Sequence, residues 1–195
     1  MASPKIPWSK LWTRLLHLIP EPETNGRLLI ALDDFVNPKT GRKIFACANI
    51  FDHAAKQNQS QYPWAQNVVL IGLLKVIKGR WACLPMASRF YHAKKNIKKH
   101  RPAYKGKQVE FLTKHEQAVS MLQRVAEQFK GIKMLIATDS WFGNNGLWKP
   151  LRQALGETAD ILSRLRANSN IFDEPVHCCF VYGIFIYFII FIYCL

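Results

Sequence analysis

Two apolar runs of this chain end on aspartate: Leu28-Leu29-Ile30-Ala31-Leu32 before Asp33 and Asp34, and Met134-Leu135-Ile136-Ala137-Thr138 before Asp139. Runs of this length, bounded by Gly, Asn and charged residues, predict buried β-strands. A carboxylate at the end of such a strand reaches the rim of a sheet. Two of them on neighbouring strands, about 5 Å apart, repel one another unless a divalent cation neutralises them. Hard oxygen donors of this kind suit Mg²⁺. Asp34 and Asp139 are therefore the candidate catalytic and metal-binding pair. The chemistry such a pair serves is displacement at phosphorus, with one ion activating the attacking oxygen and a second stabilising the leaving oxygen. A third acid normally completes the set.

The charge of the chain supplies a matching partner. Lys and Arg number 27 against 13 Asp and Glu, a formal net charge of +14 in 195 residues. A balance this basic points first to nucleic acid and second to an anionic membrane surface. Between Asp52 and Glu110 there is no acidic residue, and twelve Lys or Arg fall there. The densest part holds Lys94, Lys95, Lys98, Lys99, Arg101, Lys105 and Lys107, with Tyr91, His92, His100 and Tyr104 among them. Basic residues mixed with aromatics suit a phosphate track with some base stacking. The five cysteines form no disulfide or zinc framework. Cys47 and Cys83 are expected as small core residues, which fits a reduced, cytoplasmic setting. No long apolar segment follows the basic N-terminus, so a signal peptide is not expected.

The elements that must position the aspartates can be read from the periodicity. Trp8, Leu11, Trp12, Leu15, Leu16 and Ile19 predict an amphipathic helix packed on the main domain and ended by Pro20. Residues 27–34 and 43–51 are the first two strands, and Asn37-Pro38-Lys39-Thr40-Gly41 suits an antiparallel hairpin between them. Residues 68–77, Lys78-Gly79 and 81–91 read as a second hairpin, and 92–109 as an exposed basic connector. Thr113 to Glu116 has the capping-box pattern and opens a helix that Gly131 stops. The Asp139 strand follows, then a helix over 144–155 containing Pro150, and a strand over 159–165. An antiparallel meander followed by alternating α and β predicts a mixed sheet with helices on its faces. A right-handed crossover through the long helix lays the Asp139 strand parallel to the first strand and beside it. Arg164 and Arg166 would alternate with Leu165 and meet phosphate. Trp141 is expected in the core rather than stacked on a base.

Several blocks resemble bacterial insertion-sequence DDE transposases. Leu32-Asp33-Asp34-Phe35 followed by Lys39-Thr40-Gly41-Arg42-Lys43 is similar to their first-aspartate block. Ile136-Ala137-Thr138-Asp139-Ser140-Trp141-Phe142-Gly143-Asn144 is similar to the second, and Ser163-Arg164-Leu165-Arg166-Ala167-Asn168 to the strand after it. The resemblance covers roughly residues 27–175. It implies a ribonuclease H-like core with two Mg²⁺ ions (Mn²⁺ as the alternative), cleavage of a phosphodiester at the element's ends, and attack of the freed 3′-hydroxyl on target DNA. Asp139 maps cleanly onto the family's second aspartate. Asp34 is preferred as the first because the family's residue directly precedes the turn. Phe35 stands where Thr or Ser is common, and the choice between Asp33 and Asp34 stays open.

The third acid is where the chain departs from the family. Glu174 lies 35 positions after Asp139, a spacing matched in integrases that lack an insertion, but Pro175 follows it. Asp173, Glu157 and Asp160 are weaker choices. The expectation is a catalytic domain over 27–175 that lacks its last glutamate and is inactive, preceded by a helix and linker over 1–26. Residues 178–195 carry no charge and are long enough for a transmembrane helix, although their composition suits an out-of-frame remnant better. The expected partner is DNA, with a homodimer as a further expectation. The competing readings are a DNA-binding module without catalysis and a tail-anchored basic membrane protein.

Overall fold

The structure is a computed structural model and describes residues 7–41, 43–53, 55–104 and 106–164. Helix α1 spans Trp8–His17. Strands β1 (Arg27–Pro38), β2 (Cys47–Asn49), β3 (Trp64–Ile77) and β4 (Arg80–Tyr91) follow. The next segment holds a short helix α2 (Lys94–His100) and a two-stranded ribbon of β5 (Ala103–Tyr104) and β6 (Lys107–Gln108). Helix α3 (Lys114–Gln128), β7 (Lys133–Thr138), α4 (Asn145–Leu155) and β8 (Ala159–Ser163) complete the described fold.

The sheet is mixed, as the element order predicts. Its order is β2-β3-β1-β7-β8, with β4 also on β3. Strands β2 and β4 share one edge of β3, pairing with residues 64–66 and 67–77 respectively. β1 is antiparallel to β3 and parallel to β7, which is parallel to β8. The chain reverses between β3 and β4 through Lys78 (φ 51°) and Gly79 (φ 74°). Positive φ at both central residues is the type I′ geometry that matches strand twist.

Three expectations are corrected. The strand over 43–51 shrinks to three residues and pairs with β3, because β3 and β7 already occupy both edges of β1. Ala46, at φ 63°, breaks extended backbone just before it. The basic connector is partly folded into α2 and the β5–β6 ribbon. β8 ends at Ser163, so Arg164 follows the strand rather than alternating along it.

One face of the sheet presents Leu28, Ile30 and Leu32 of β1, Val69, Ile71 and Leu73 of β3, and Met134 and Ile136 of β7 to the core. Helix α3 adds Ala118, Met121, Leu122 and Val125, α4 adds Leu147 and Leu151, and α1 adds Leu16. The alternation along β1 follows from the two-residue period of a strand. A bulge at Ile71/Gly72 sets two residues of β4 against one of β3 and drives Met86 into this core. Gly72 is required there: a Cβ would lie 2.4 Å from Cys83 Sγ and 3.2 Å from the Leu84 carbonyl oxygen. Cys47 and Cys83 are half-buried rather than enclosed in the core.

Candidate active site

Strand directions gather the chemistry at one rim. β4 runs parallel to β1 at a remove of one strand, since each is antiparallel to β3. The C-terminal ends of β1, β4, β7 and β8 therefore share a rim. In sheets of this kind that rim is where ligands bind. Asp139 after β7 and Arg164 after β8 lie on it, and Asp33 and Asp34 lie within β1 just past the end of its pairing with β7; β1 runs on to Pro38, so the strand does not stop at Asp34 as the sequence suggests. Helix α2 leaves the same rim from the end of β4, and its Lys94, Lys95 and Lys98 side chains are exposed. Arg101, at φ 40°, and Lys107 are exposed nearby in sequence. Lys105, Arg166, Glu174 and the uncharged tail lie outside the described residues, as does the side chain of Lys99.

The two aspartates of β1 have different surroundings. Asp34 continues the core-facing series of Leu28, Ile30 and Leu32. Its Oδ2 accepts hydrogen bonds from Asn67 Nδ2 at 2.8 Å and Lys114 Nζ at 2.7 Å. Asp33 takes the alternate face. Leu32 pairs with Thr138 across the parallel ladder, and the Thr138 hydroxyl donates to the Leu32 carbonyl at 3.0 Å. The ladder ends at that pair, and Asp33 and Asp139 are the next residues along the two strands. Burial pushes the Asp33 carboxyl up to about 6, and the neighbouring Asp139 and Asp34 carboxylates push the same way. The Asp34 backbone N–H, donating to Asp33 Oδ1 at 2.8 Å, and the Lys114 ammonium act against this.

Five of the six residues from Asp139 to Asn144 have a local role. Asp139 Oδ1 accepts the backbone N–H groups of Trp141 and Phe142, both at 3.0 Å, and so fixes the turn after β7. Among the described residues no hydrogen bond engages its Oδ2. Phe142 is fully buried and anchors the turn in the core. Gly143 has no room for a side chain, because a Cβ would lie 2.3 Å from Ser163 Cβ and 3.1 Å from the Asp139 carbonyl oxygen. Asn144 Oδ1 accepts the Gly146 N–H at 2.7 Å and caps α4. Trp141 is not the core residue expected: it is 40% exposed and stacks on His115 with ring centroids 4.8 Å apart and planes 10° from parallel. Burial pushes the His115 imidazole below its ordinary range.

Lys114, Asn67 and His115 belong to this rim and were not singled out by sequence reasoning, whereas Tyr91 entered only as an aromatic beside the basic track. The Lys114 ammonium lies 5.1 Å from the Trp141 ring centroid and 5.4 Å from that of Tyr91. Asn67 is 2% exposed, and its Oδ1 has no hydrogen-bond partner among the described residues. A readable signal existed for Lys114 and Asn67. A lysine in the first turn of a capped helix opposes the helix dipole, and a lone amide inside the apolar run of β3 needs a polar neighbour.

The donor set fits a divalent cation in kind: carboxylate oxygens from Asp33 and Asp139, brought to one rim by adjacent parallel strands. Among the described residues, however, no group of three or more His, Cys, Asp or Glu is arranged to hold a metal ion. Asp160 is paired with Arg152 at 3.3 Å and Arg27 at 3.6 Å near the opposite end of β8, so it is not a third ligand. Glu157 precedes β8, on that same far side of the sheet. No described helix is long and apolar enough to cross a membrane.

Comparison with known proteins gives one decisive match. No curated protein matches the chain. Two solved structures of Aquifex aeolicus Ppx/GppA family proteins are weakly similar. The first, a type II variant of the phosphatase, is 11% identical with a TM-score of 0.27, covering 49% of this chain and 32% of that one. The second is 8% identical with a TM-score of 0.26, covering 70% of this chain and 35% of that one. The family model described as DDE superfamily endonuclease matches residues 2–178. The chain belongs to the DDE superfamily endonucleases.

Proposed function

We propose that this protein cuts and joins DNA phosphodiesters at the ends of an insertion sequence, with Asp33 and Asp139 as the carboxylates that hold divalent metal, Mg²⁺ or Mn²⁺. The observation that carries this reading is the parallel pairing of β1 with β7, whose register leads Asp33 to Asp139. Asp34 was the sequence-based choice. Its Oδ2 is engaged by Lys114 and Asn67, and this favours Asp33 as the ligand and Asp34 as its positioning neighbour. When bound, the metal supplies an activated attacking oxygen and charge neutralisation at phosphorus. The chain's own residues do the rest. The Asp139 turn keeps that carboxylate fixed through two amide hydrogen bonds, and the α2 lysines and Arg164 sit where a DNA backbone would approach the rim. Lys99, Lys105 and Arg166 are proposed from the sequence alone as further DNA contacts.

A second reading, a DNA-binding module without cleavage, is favoured because no three His, Cys, Asp or Glu side chains among the described residues are grouped to hold a metal ion. One assay separates the two. Supercoiled DNA carrying the element's terminal repeats is incubated with Mg²⁺ or Mn²⁺ and the purified chain. Nicking that is abolished by chelator, by Asp139→Asn and by Asp33→Asn, with unchanged circular dichroism, supports the nuclease. Nicking that survives Asp139→Asn overturns it. Salt-sensitive DNA binding with neither nicking nor Mn²⁺ binding selects the second reading.

A further inference from the structure

The strongest unassigned feature of the rim is the ammonium of Lys114. It stands at the first position of α3, directly after the Thr113 cap. A positive charge there faces the positive end of the helix dipole, so something outside the helix must hold it. That something is Asp34, with Nζ–Oδ2 at 2.7 Å and both side chains 19% exposed. Tyr91 from the end of β4 and Trp141 from the turn after β7 add their rings at 5.4 and 5.1 Å. Three separate elements thus converge on one cation from α3, and a largely buried ammonium between a carboxylate and two rings is well held. Asn67 Nδ2 donates to the same Oδ2 at 2.8 Å, and Asn67 Oδ1 is buried without a partner among the described residues.

We infer that Lys114 is the resident cation of the carboxylate rim: its ammonium occupies the place beside Asp34 that a metal ion would otherwise take, and so confines divalent metal to Asp33 and Asp139. Lys114 is a positioning residue in this scheme. Its positive charge lowers the repulsion among three neighbouring acids while withdrawing one of them from metal ligation. The inference rests on the proposed metal-dependent function.

The test is Mn²⁺ binding to the full chain without DNA, followed by electron paramagnetic resonance and calorimetry. The wild-type chain and Lys114→Arg, which keeps the charge, are expected to bind Mn²⁺ alike, with binding lost in Asp33→Asn and Asp139→Asn and kept in Asp34→Asn. Lys114→Met is expected to bind Mn²⁺ about tenfold or more tightly, since a unit positive charge has left the site. That gain should vanish in the Lys114→Met, Asp34→Asn double variant. Folding of each variant is checked by its melting profile. Unchanged Mn²⁺ affinity in folded Lys114→Met, or a gain that persists without Asp34, overturns the inference and leaves the nuclease reading standing. Absence of Mn²⁺ binding to the wild-type chain overturns both.

Discussion

Asp33 is a carboxylate kept in an unfavourable place. Its ordinary value of 3.8 is pushed up to about 6, first by burial and then by the charges of Asp139 and Asp34. The unfolded chain ionises this group near pH 4, whereas the folded chain resists until about pH 6. Stability is therefore lost as pH rises through that window. Asp33→Asn keeps an Oδ1 to accept the Asp34 N–H and removes the charge. In chelator this variant should melt above the wild type at pH 8, with the difference closing by pH 4. A pH-independent difference would contradict the assignment. Added Mn²⁺ should reverse the order at pH 8, because a ligand bound only by the folded state stabilises it. The sequence alone placed both acids at a strand end but could not rank Asp33 against Asp34. Turn position favoured one, and the face each side chain takes depends on a register with β7, 106 residues away. Lys114 stayed unnoticed because its partner is 80 positions distant.

Elements bounded by local chemistry were legible. The Lys78-Gly79 turn and the flanking strands fell where expected, and so did α3 with its capping box, in which Thr113 accepts from Glu116 N at 3.2 Å and Glu116 Oε2 accepts from Thr113 N at 2.7 Å. Elements fixed by distant pairing were not. The partner of β2 could not be known without knowing that both edges of β1 were taken. Trp141 and Phe142 are adjacent aromatics whose opposite fates depend on the packing of α3. The capping box makes its own prediction: Thr113→Ala should cost about 1 kcal/mol in chemical denaturation. Hydrogen bonds from Thr113 N and Oγ1 hold the Glu116 carboxyl below its ordinary value. Its contribution is thus present above the unfolded value near 4.5 and lost as pH falls through the lower folded one. Glu116→Gln should flatten this acid limb of the stability curve, and a limb unchanged by the substitution would remove the box from the account.

At the scale of the molecule, the excess of positive charge has a direction. α2 projects its lysines from the rim that carries the acids, and under the proposed function DNA attracted by the one is delivered to the other. Replacing Lys94, Lys95 and Lys98 together by Gln should weaken DNA binding and lower the slope of log K against log salt. The drop is about 0.9 for each phosphate no longer neutralised, while the melting temperature stays nearly constant because these side chains are exposed. An unaltered slope would mean that DNA tracks elsewhere. Net charge and its acid-free stretch pointed to a polyanion from the sequence, but the rim on which α2 would emerge required the strand directions. The parallel pairing of β1 and β7 has a consequence in time as well as in space. The antiparallel β1–β3–β4 unit closes short loops and can form while the ribosome is still adding residues, whereas β7 must join across a far longer one. The two acids thus become neighbours only after α3 and β7 have left the exit tunnel. Under the proposed function, a half-made chain carries its cationic arm before the acids have met.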